Sequence, residues 1–422
     1  MAEPIRITDL AHPVLNDIQQ AARDYAQSLD VELSAQSVLS DAAAVTGLED
    51  FGPADFLPRL ELLCAQWNAD EGLHNLGRLS LRNKLLQHAR SRLLIQDTLR
   101  RHPEIHDVQL NTPIIVAGLP RSGTTHLLNL MAADSRLRAL PLWESYEPVP
   151  MPGEQPGSDG VDPRYQRCAE QWQMMQSMSP LLAAMHPMNP DHIHEELELM
   201  GPDFASYNYE WLSPSPQWRD HYYATDQTPH YQYMKTVLRL LTWQDGDRSG
   251  ANTRWVLKCP QHLEQLPVLR QVFPDAMVAV THRDPVSVIQ SAITMLAYGQ
   301  RSTRHVVEPQ ALLHYWTERI VHLLQACTSD RECLGQARSI DVLFHEFMAD
   351  DLSMVEKIYE RAGLAMTPQA RAELQSYLAD HPRGKHGQVV YDLRGDFGVE
   401  PQALRQRFDF YFERFPVCVE VT

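Results

Sequence analysis

A glycine-containing segment in the first third of the chain has the spacing of an anion-binding loop. Residues 118–125 read Gly-Leu-Pro-Arg-Ser-Gly-Thr-Thr and fit the pattern G-x-x-x-x-G-x-[ST]. The short apolar run 113–117 precedes them, and a helical pattern over 126–133 follows. In a strand–loop–helix unit of this kind, backbone N–H groups and the helix N-terminus converge on one anion. The segment therefore predicts a site for a phosphate or sulfate group.

The side chains of the loop indicate which anion it suits. Nucleotide triphosphatases carry a lysine directly after the second glycine, where it bridges the terminal phosphates, but this chain has Thr124 there. The loop offers one cation, Arg121. Its other candidate ligand groups come from Ser122, Gly123, Thr124 and Thr125. One guanidinium and several hydrogen bonds suit a group that carries less charge than the end of a nucleoside triphosphate.

A second cationic position lies much further along the chain. Arg283 closely follows the apolar run 276–281, and Ser291 lies in the helical pattern that begins at position 285. Ligands of open α/β sheets bind at the carboxyl ends of the strands, which is where Arg283 falls. The pair could hold a further phosphate, although a strand-end arginine taken alone more often forms a salt bridge.

Alternating strand and helix patterns place these residues in an α/β fold. Apolar runs at 113–117, 254–258, 276–281 and 339–344 predict strands. Helical patterns at 126–133, 262–273, 285–297 and from about 350 follow them. Strand-then-helix units at this spacing predict a mainly parallel central sheet that is flanked by helices.

The remaining residues predict two helical regions around that sheet. Leucines recur at helical spacing in residues 1–105, with arginines on what we interpret as a solvated face. Residues 150–245 are rich in aromatic residues, methionine and proline, which predicts a cap of short helices and loops. The cap either packs on the sheet or also encloses an aromatic acceptor pocket. We expect a helical region at 1–105 and a second domain at 106–422 with the cap inserted.

Composition restricts the partners. The 422 residues include 37 Lys and Arg against 54 Asp and Glu, which gives a formal net charge of −17. Nucleic acids and polyanionic polysaccharides attract proteins of the opposite sign, so we expect neither as a partner. A local basic site for a small anion remains compatible with an acidic surface.

Cysteine usage and the targeting patterns favour a cytoplasmic protein. The six cysteines are scattered, without a Cys-x-x-Cys pair or the spacing of metal ligands, as is typical of a reducing compartment. Residues 1–15 hold no basic stretch followed by an apolar run. No segment approaches the roughly 20 apolar residues that span a bilayer.

Taken together, the motifs resemble those of sulfotransferases that use 3′-phosphoadenosine 5′-phosphosulfate (PAPS). Residues 118–125 look like their loop for the 5′-phosphosulfate, and Arg283 with Ser291 has the spacing of their 3′-phosphate site. Residues 258–263 (Lys-Cys-Pro-Gln-His-Leu) and 396–399 (Asp-Phe-Gly-Val) are similar to segments of the bacterial branch. The resemblance covers about residues 110–415. It implies a P-loop NTPase-like fold and PAPS as co-substrate, with no metal.

Such an enzyme moves a sulfuryl group in line from a phosphate to an acceptor oxygen, so it needs a base and cations around the reacting atoms. We predict that His262 is the general base, because imidazole titrates near neutral pH. His262 could instead cap the helix predicted to start there. Arg121 and Lys258 are expected to stabilise charge on the sulfuryl group and on the departing phosphate.

A cluster of titratable residues in the cap supplies a second candidate base. Residues 191–196 read Asp-His-Ile-His-Glu-Glu, and the bacterial branch carries a similar Glu-Glu pair, which makes Glu196 the rival of the histidine. The alternative is an acidic helix start that the helix dipole favours. A metal site from His192, His194 and Glu196 is conceivable, but nothing elsewhere in the sequence completes it.

A basic loop near the end of the chain is the last predicted contact with the donor. Residues 381–387 read His-Pro-Arg-Gly-Lys-His-Gly, and the family closes such a loop over the 3′-phosphate, which points to Arg383 or Lys385. Their order departs from the Arg-Lys-Gly of the cytosolic animal enzymes. His126 stands where those enzymes carry a tryptophan that stacks on adenine.

The leading hypothesis is therefore a metal-independent, PAPS-dependent sulfotransferase that acts on a hydroxyl, phenol or amine of a small, fairly apolar acceptor. A small-molecule kinase on a similar fold is the first alternative, which the missing loop lysine opposes. A catalytically silent PAPS-binding protein is the second. A homo-oligomer is compatible with the sequence.

Overall fold

Five parallel strands form one sheet in the part of the chain that the computed structural model describes, residues 4–246, 254–385 and 387–422. The strands are β1 (Asn111–Gly118), β2 (Leu137–Arg138), β3 (Arg254–Cys259), β4 (Met277–His282) and β5 (Ser339–Leu343). Their spatial order is β2-β3-β1-β4-β5. The predicted parallel central sheet is confirmed.

Strand β1 is central because both of its faces are apolar. It pairs in parallel with β3 on one side and with β4 on the other. Ile114 and Val116 pack into one hydrophobic cluster, whereas Ile115 and Ala117 pack into a second cluster on the opposite face. A strand that buries both faces reads as a continuous apolar run, which is the signal that predicted it.

Helices cover the sheet and extend beyond it. Those of the described ranges are α1 (Asp17–Gln27), α2 (Ala35–Thr46), α3 (Leu57–Ala69), α4 (Asn75–Arg101), α5 (Thr124–Ala132), α6 (Leu142–Tyr146), α7 (Pro163–Met178), α8 (Leu182–Met185), α9 (Leu197–Met200), α10 (Asn208–Leu212), α11 (Pro216–Ala224), α12 (Thr228–Asp245), α13 (Leu266–Val272), α14 (Pro285–Gln300), α15 (Pro309–Asp330), α16 (Phe344–Ala349), α17 (Asp351–Arg361), α18 (Pro368–Asp380), α19 (Leu393–Phe397), α20 (Pro401–Arg405) and α21 (Asp409–Arg414). None of them is both long enough and apolar enough to cross a membrane.

One predicted helix differs in a way that matters for the site. The sequence favours a single helix over 262–273, but the chain forms a 3-10 turn at Pro260–Glu264 and begins α13 only at Leu266. Pro267 lies in the first turn of α13. A proline disfavours helical backbone at the residue before it and lacks the N–H that would continue an earlier helix. His262 therefore lies in a short turn directly after β3.

The helices pack as two layers on the sheet, with a third cluster beside them. Helices α12–α15 contribute to the cluster on one face of the sheet, and α5, α17 and α18 cover the other. A separate cluster joins α2, α3 and α4 to Phe204, Tyr209 and Trp218 of the cap. The N-terminal helices are thus packed directly against the cap, and the boundary near residue 105 stays a prediction.

Candidate active site

A cavity of 1380 Å³ opens at the carboxyl edge of the sheet. Residues at or just after the ends of four strands line it: Arg121 after β1, Lys258 in β3, Arg283 after β4 and Phe344 after β5. Parallel strands direct all their carboxyl ends to one edge, where ligands of such sheets bind. The predicted cations Arg121, Lys258 and Arg283 therefore line one cavity, and we call their side of it the basic wall.

The loop after β1 is built around two glycines. A Cβ on Gly118 would lie 1.8 Å from the Thr281 hydroxyl oxygen, so a side chain there would collide with β4. Gly123 has φ +83° and caps α5 without a side-chain hydrogen bond. The first N–H groups of α5 have no partner within the helix, and Gly123, Thr124 and Thr125 line the cavity. The loop is therefore open to an anion, as its spacing predicts.

Ser122 has a different place from the one expected. Its hydroxyl donates to the Leu119 carbonyl at 2.6 Å and lies 2.8 Å from the hydroxyl oxygen of Thr281. The residue is buried and is not among those that line the cavity. Ser122 thus holds the loop against β4, and the structure gives its side chain no access to an anion.

Arg121 and Ser291 meet across the cavity. The Nε of Arg121 donates to the Ser291 hydroxyl at 2.9 Å, one terminal nitrogen donates to the Met185 carbonyl, and the other lies 3.4 Å from the Tyr391 hydroxyl. Arg121 itself has φ +65°. Its guanidinium is therefore fixed between the loop, the cap and α14.

Arg283 lies on the neighbouring side of the loop. One terminal nitrogen donates to the Arg121 carbonyl at 2.6 Å, and the guanidinium carbon lies 3.9 Å from the centre of the Phe344 ring. Its Nε and other terminal nitrogen bind the Glu420 carboxylate at 2.8 and 2.7 Å. Arg283 and Ser291 both line the cavity, and Arg283 also forms a salt bridge, the alternative that its position at a strand end predicts, although the sequence does not identify Glu420 as its partner.

Lys258 and Glu195 form the ion pair nearest the loop. The Lys258 ammonium contacts the Glu195 carboxylate and lies 3.3 Å from the Thr125 hydroxyl. Lys258 is 2% exposed, and both residues of the pair line the cavity. Burial raises the pKa of Glu195, and the charge of Lys258 offsets part of that increase. The cavity therefore holds a carboxylate whose pKa is shifted towards neutrality.

Glu196 and His262 lie behind that pair, away from the cavity. One Glu196 oxygen accepts from the backbone N–H of Lys258 at 2.7 Å, and the other accepts from the His262 Nε2 at 2.6 Å. The Tyr231 hydroxyl completes the chain with a 2.9 Å contact to His262 Nδ1. Glu196 and His262 are fully buried and do not line the cavity. Both ring nitrogens of His262 have partners here, and its role as general base stays a prediction.

Three histidines of the cap cluster beside the ion pair. The ring centres of His186, His192 and His194 lie 5.7–6.2 Å apart. Burial, assisted by nearby positive charge, lowers their pKa values to about 4, 2 and 3, respectively. No group of three or more His, Cys, Asp or Glu residues is arranged to hold a metal ion in the described ranges. The three imidazoles are therefore neutral groups at the edge of the site.

The two candidates in the basic loop near the end of the chain differ in their place relative to the cavity. Lys385 is exposed, donates to the Asp380 carbonyl at 3.2 Å and does not line the cavity. Arg383 does line it and donates to Asp351 at 2.6 Å. His126 also reaches Asp351, at 3.2 Å. His381 of the same loop also lines the cavity, and His386 lies outside the described residues.

Another part of the cavity lining, which we call the apolar wall, is formed mainly by methionine and leucine. It consists of Leu76, Leu81, Met174, Met175, Met178, Leu182, Met188, Leu197, Trp211, Leu212 and Met295. Among the Phe, Tyr and Trp residues of the cap that the structure describes, Trp211 alone lines the cavity, and Tyr209, Trp218 and Tyr222 are buried in the core. Helix α4 supplies Leu76 and Leu81, so the N-terminal helices are part of the site.

Sequence reasoning missed Glu195, Glu420 and the contribution of α4. Glu195 lies within the cluster 191–196, directly before Glu196. Adjacent residues of a non-helical segment point to different sides, which is the signal that could have separated the two glutamates. Nothing in the local sequence around Glu420 indicates its contact with Arg283, and nothing in α4 indicates that it lines the cavity.

Comparison with known proteins agrees with this geometry. A profile described as the sulfotransferase family matches residues 113–368, more than half of the chain. The chain is 24% identical over 293 residues, 64% of its own length and 67% of theirs, to omega-hydroxy-beta-dihydromenaquinone-9 sulfotransferase Stf3 of Mycobacterium bovis and of Mycobacterium tuberculosis.

Solved structures extend the similarity to nearly the whole chain. Sulfotransferase STF1 from Mycobacterium tuberculosis matches with a TM-score of 0.75 and 27% identity, over 90% of this chain and 99% of that one. Sulfotransferase STF9 from Mycobacterium avium shares the fold with a TM-score of 0.81 at 24% identity, over 94% of this chain and 100% of that one. With the family profile, these matches show that the chain is an enzyme of the sulfotransferase family.

Proposed function

We propose that this enzyme transfers the sulfuryl group of PAPS to a hydroxyl group of a largely apolar acceptor. The observation that carries the proposal is the meeting of an open anion loop, the Lys258–Glu195 pair and the apolar wall around one cavity. The residues suit the donor, because the loop has uncapped N–H groups beside glycines that cannot carry a side chain without strain or collision.

The basic wall supplies contacts for each charged part of the donor. The N–H groups of Gly123, Thr124 and Thr125 would hold the 5′-phosphosulfate, and Arg283 with Ser291 would hold the 3′-phosphate. When bound, PAPS supplies a sulfuryl group on a phosphate leaving group. The Lys258 ammonium, beside the Thr125 hydroxyl, would neutralise the charge that develops when that bond breaks.

Glu195 is the base that this geometry favours. Its carboxylate lies in the cavity, and its raised pKa brings it closer to the proton affinity that a base needs near neutral pH. The acceptor O–H proton passes to Glu195 as the acceptor oxygen forms its bond to sulfur, and the electron pair of the broken sulfur–oxygen bond leaves with the phosphate.

Glu196 and His262 are positioning residues in this scheme. Glu196 ties the backbone of Lys258 to the His262 ring, and Tyr231 fixes that ring from the other side. The chain of contacts holds the end of β3 so that the Lys258 side chain meets the loop. We therefore reassign His262 from base to support, and keep the reassignment as a hypothesis for experiment.

The apolar wall supports an acceptor with a substantial apolar body. Methionine side chains adapt to irregular apolar ligands, and five of them line this wall. The curated relatives are named as sulfotransferases of omega-hydroxy-beta-dihydromenaquinone-9, a molecule with a hydroxyl at the end of an apolar chain. Independence of metal, cytoplasmic location, lack of nucleic-acid partners and homo-oligomer formation stay predictions.

The proposal is tested by incubating the enzyme with PAPS and two probe alcohols, 1-dodecanol and 2-naphthol, and detecting sulfated product by mass spectrometry. We expect product with wild type and a 10²- to 10⁴-fold lower kcat/KM for Glu195→Gln, the range for loss of a general base. Exposed Glu170 provides the control variant Glu170→Gln, which removes the same charge outside the cavity.

The pH profile separates the base from its support. A base works deprotonated, so activity rises with pH through its pKa, and for Glu195 that rise lies above the ordinary value for glutamate of about 4.3. We expect His262→Gln to lower activity less than Glu195→Gln and to keep the rise. A rise that disappears in His262→Gln and persists in Glu195→Gln would return the role of base to His262.

A further inference from the structure

The guanidinium that would hold the 3′-phosphate is already bound to a carboxylate of this chain. Glu420 accepts from the Nε of Arg283 at 2.8 Å and from a terminal nitrogen at 2.7 Å, each with a different oxygen. The Ser287 hydroxyl, which also lines the cavity, lies 3.4 Å from Glu420. Arg283 thus presents its two-pronged edge to an internal anion.

The segment that carries Glu420 is fastened beside the site by several contacts. The backbone N–H of Glu420 donates to Asp284 at 2.8 Å, and Arg394 donates to the Thr422 carbonyl at 3.0 Å. Asp284 is fully buried and also caps α14. These backbone contacts hold the segment in place independently of the Glu420 side chain, which can therefore move while the segment stays.

Arg283 is oriented without Glu420. Its remaining terminal nitrogen donates to the Arg121 carbonyl at 2.6 Å, and its plane lies on the Phe344 ring. The side chains of Arg283 and Glu420 are 20% and 27% exposed. An ion pair in contact with water is weak and exchanges readily with a competing anion. Glu420 therefore fills the hydrogen-bonding edge of Arg283, whereas the Arg121 carbonyl and the Phe344 ring set the orientation of that arginine.

We propose that Glu420 occupies the 3′-phosphate subsite of the free enzyme and that the donor must displace it. The proposal rests on the assignment of that subsite to Arg283 under the proposed function. Carboxylate and phosphate both present two oxygens to the fork of an arginine, so they compete for the same edge. A phosphate carries more negative charge than a carboxylate and so binds Arg283 more strongly. The net binding free energy of the donor is reduced, because the Arg283–Glu420 ion pair must first break.

The test compares two nucleotides that differ only in the 3′-phosphate: 3′-phosphoadenosine 5′-phosphate and adenosine 5′-phosphate. Calorimetry on the full chain measures the affinity of wild type and Glu420→Gln for both. We expect Glu420→Gln to bind the 3′-phosphorylated nucleotide about three- to tenfold more tightly. This factor corresponds to the strength of a partly exposed ion pair between an arginine and a carboxylate. Affinity for adenosine 5′-phosphate stays unchanged, because that nucleotide does not need the edge of Arg283.

Two further variants separate the possible outcomes. Glu413→Gln removes one charge from the neighbouring exposed surface of α21 and is expected to change neither affinity. Arg283→Ala is expected to reduce binding of the 3′-phosphorylated nucleotide to the level of adenosine 5′-phosphate. Unchanged or weaker binding in Glu420→Gln, with Arg283→Ala still harmful, overturns the displacement alone. An Arg283→Ala enzyme that binds both nucleotides as wild type does overturns the subsite assignment as well.

Discussion

We expect the histidine cluster beside the active site to make the stability of the folded enzyme sensitive to acid. His194 is the most deeply buried of the three at 7% exposed, and its Nδ1 has no hydrogen-bond partner in the described structure. Burial lowers its pKa to about 3, against a value of about 6.5 in an unfolded chain. A lowered pKa in the folded state means that stability is complete above pH 6.5 and is lost as pH falls below it.

The magnitude follows from the difference in bound protons. Between pH 7.5 and 5.5, His194 of the unfolded chain changes from about one tenth to about nine tenths protonated, whereas in the folded chain it stays neutral. The stability lost over that interval is about 1.4 kcal/mol for this one residue. Its neutral replacement His194→Gln removes the proton uptake, so we expect the variant to lose about 1.4 kcal/mol less than wild type.

Urea unfolding followed by tryptophan fluorescence at pH 7.5 and 5.5 measures this difference. The comparison uses the change between the two pH values, so an effect of the substitution on stability at pH 7.5 cancels. His314 lies exposed on α15, and His314→Gln is the matched control. We expect this variant to lose as much stability between the two pH values as wild type does. An equal loss in wild type and His194→Gln would refute the reasoning, because His194 would then take up its proton in both states.

Two substitutions test the framework that holds the site. Gly118→Ala places a Cβ 1.8 Å from the Thr281 hydroxyl oxygen, so we expect about 3 kcal/mol of destabilisation in urea unfolding; unchanged stability would mean that the loop and β4 are not packed as described. Arg319 forms ion pairs with Glu210 and Glu264, whose side chains are at most 1% exposed, and Arg319→Met leaves both carboxylates of this triad without their buried cation. We expect a loss of about 3–5 kcal/mol in the same assay, and a neutral result would contradict burial of the triad.

The fold was largely predictable because its strands are buried on both faces. Apolar runs such as that in β1 are continuous, so they are not confused with the spaced apolar residues of a surface helix. Each run is followed by a helical pattern that returns the chain to the edge of the sheet where the strands begin. Prediction failed where proline decided the backbone, as in the 3-10 turn before α13. The helical spacing of apolar residues continues through that turn, whereas the backbone hydrogen bonds of an α-helix do not.

The cations of the site were predictable for a related reason. Arg121, Lys258 and Arg283 each lie at or just beyond the end of a strand, and the topology brings those ends together whatever the intervening chain does. Ser291 could be added because it lies on α14, which begins directly after Arg283. Residues whose place depends on the strands therefore follow from the sequence.

The acidic partners of those cations depend instead on the direction of single side chains. Glu195, Glu196 and Glu198 occur within four residues, yet each contacts a different group: Lys258, the His262 ring, and Lys84 of α4 at 2.8 Å. No regular helix or strand continues through Glu195 and Glu196, so no periodicity assigns their faces. Only packing decides that Glu195 lines the cavity while Glu196 binds the Lys258 backbone and the His262 ring. The sequence therefore predicts His262 or Glu196 as the base, and the proposal of Glu195 depends on side-chain packing that only the structure shows.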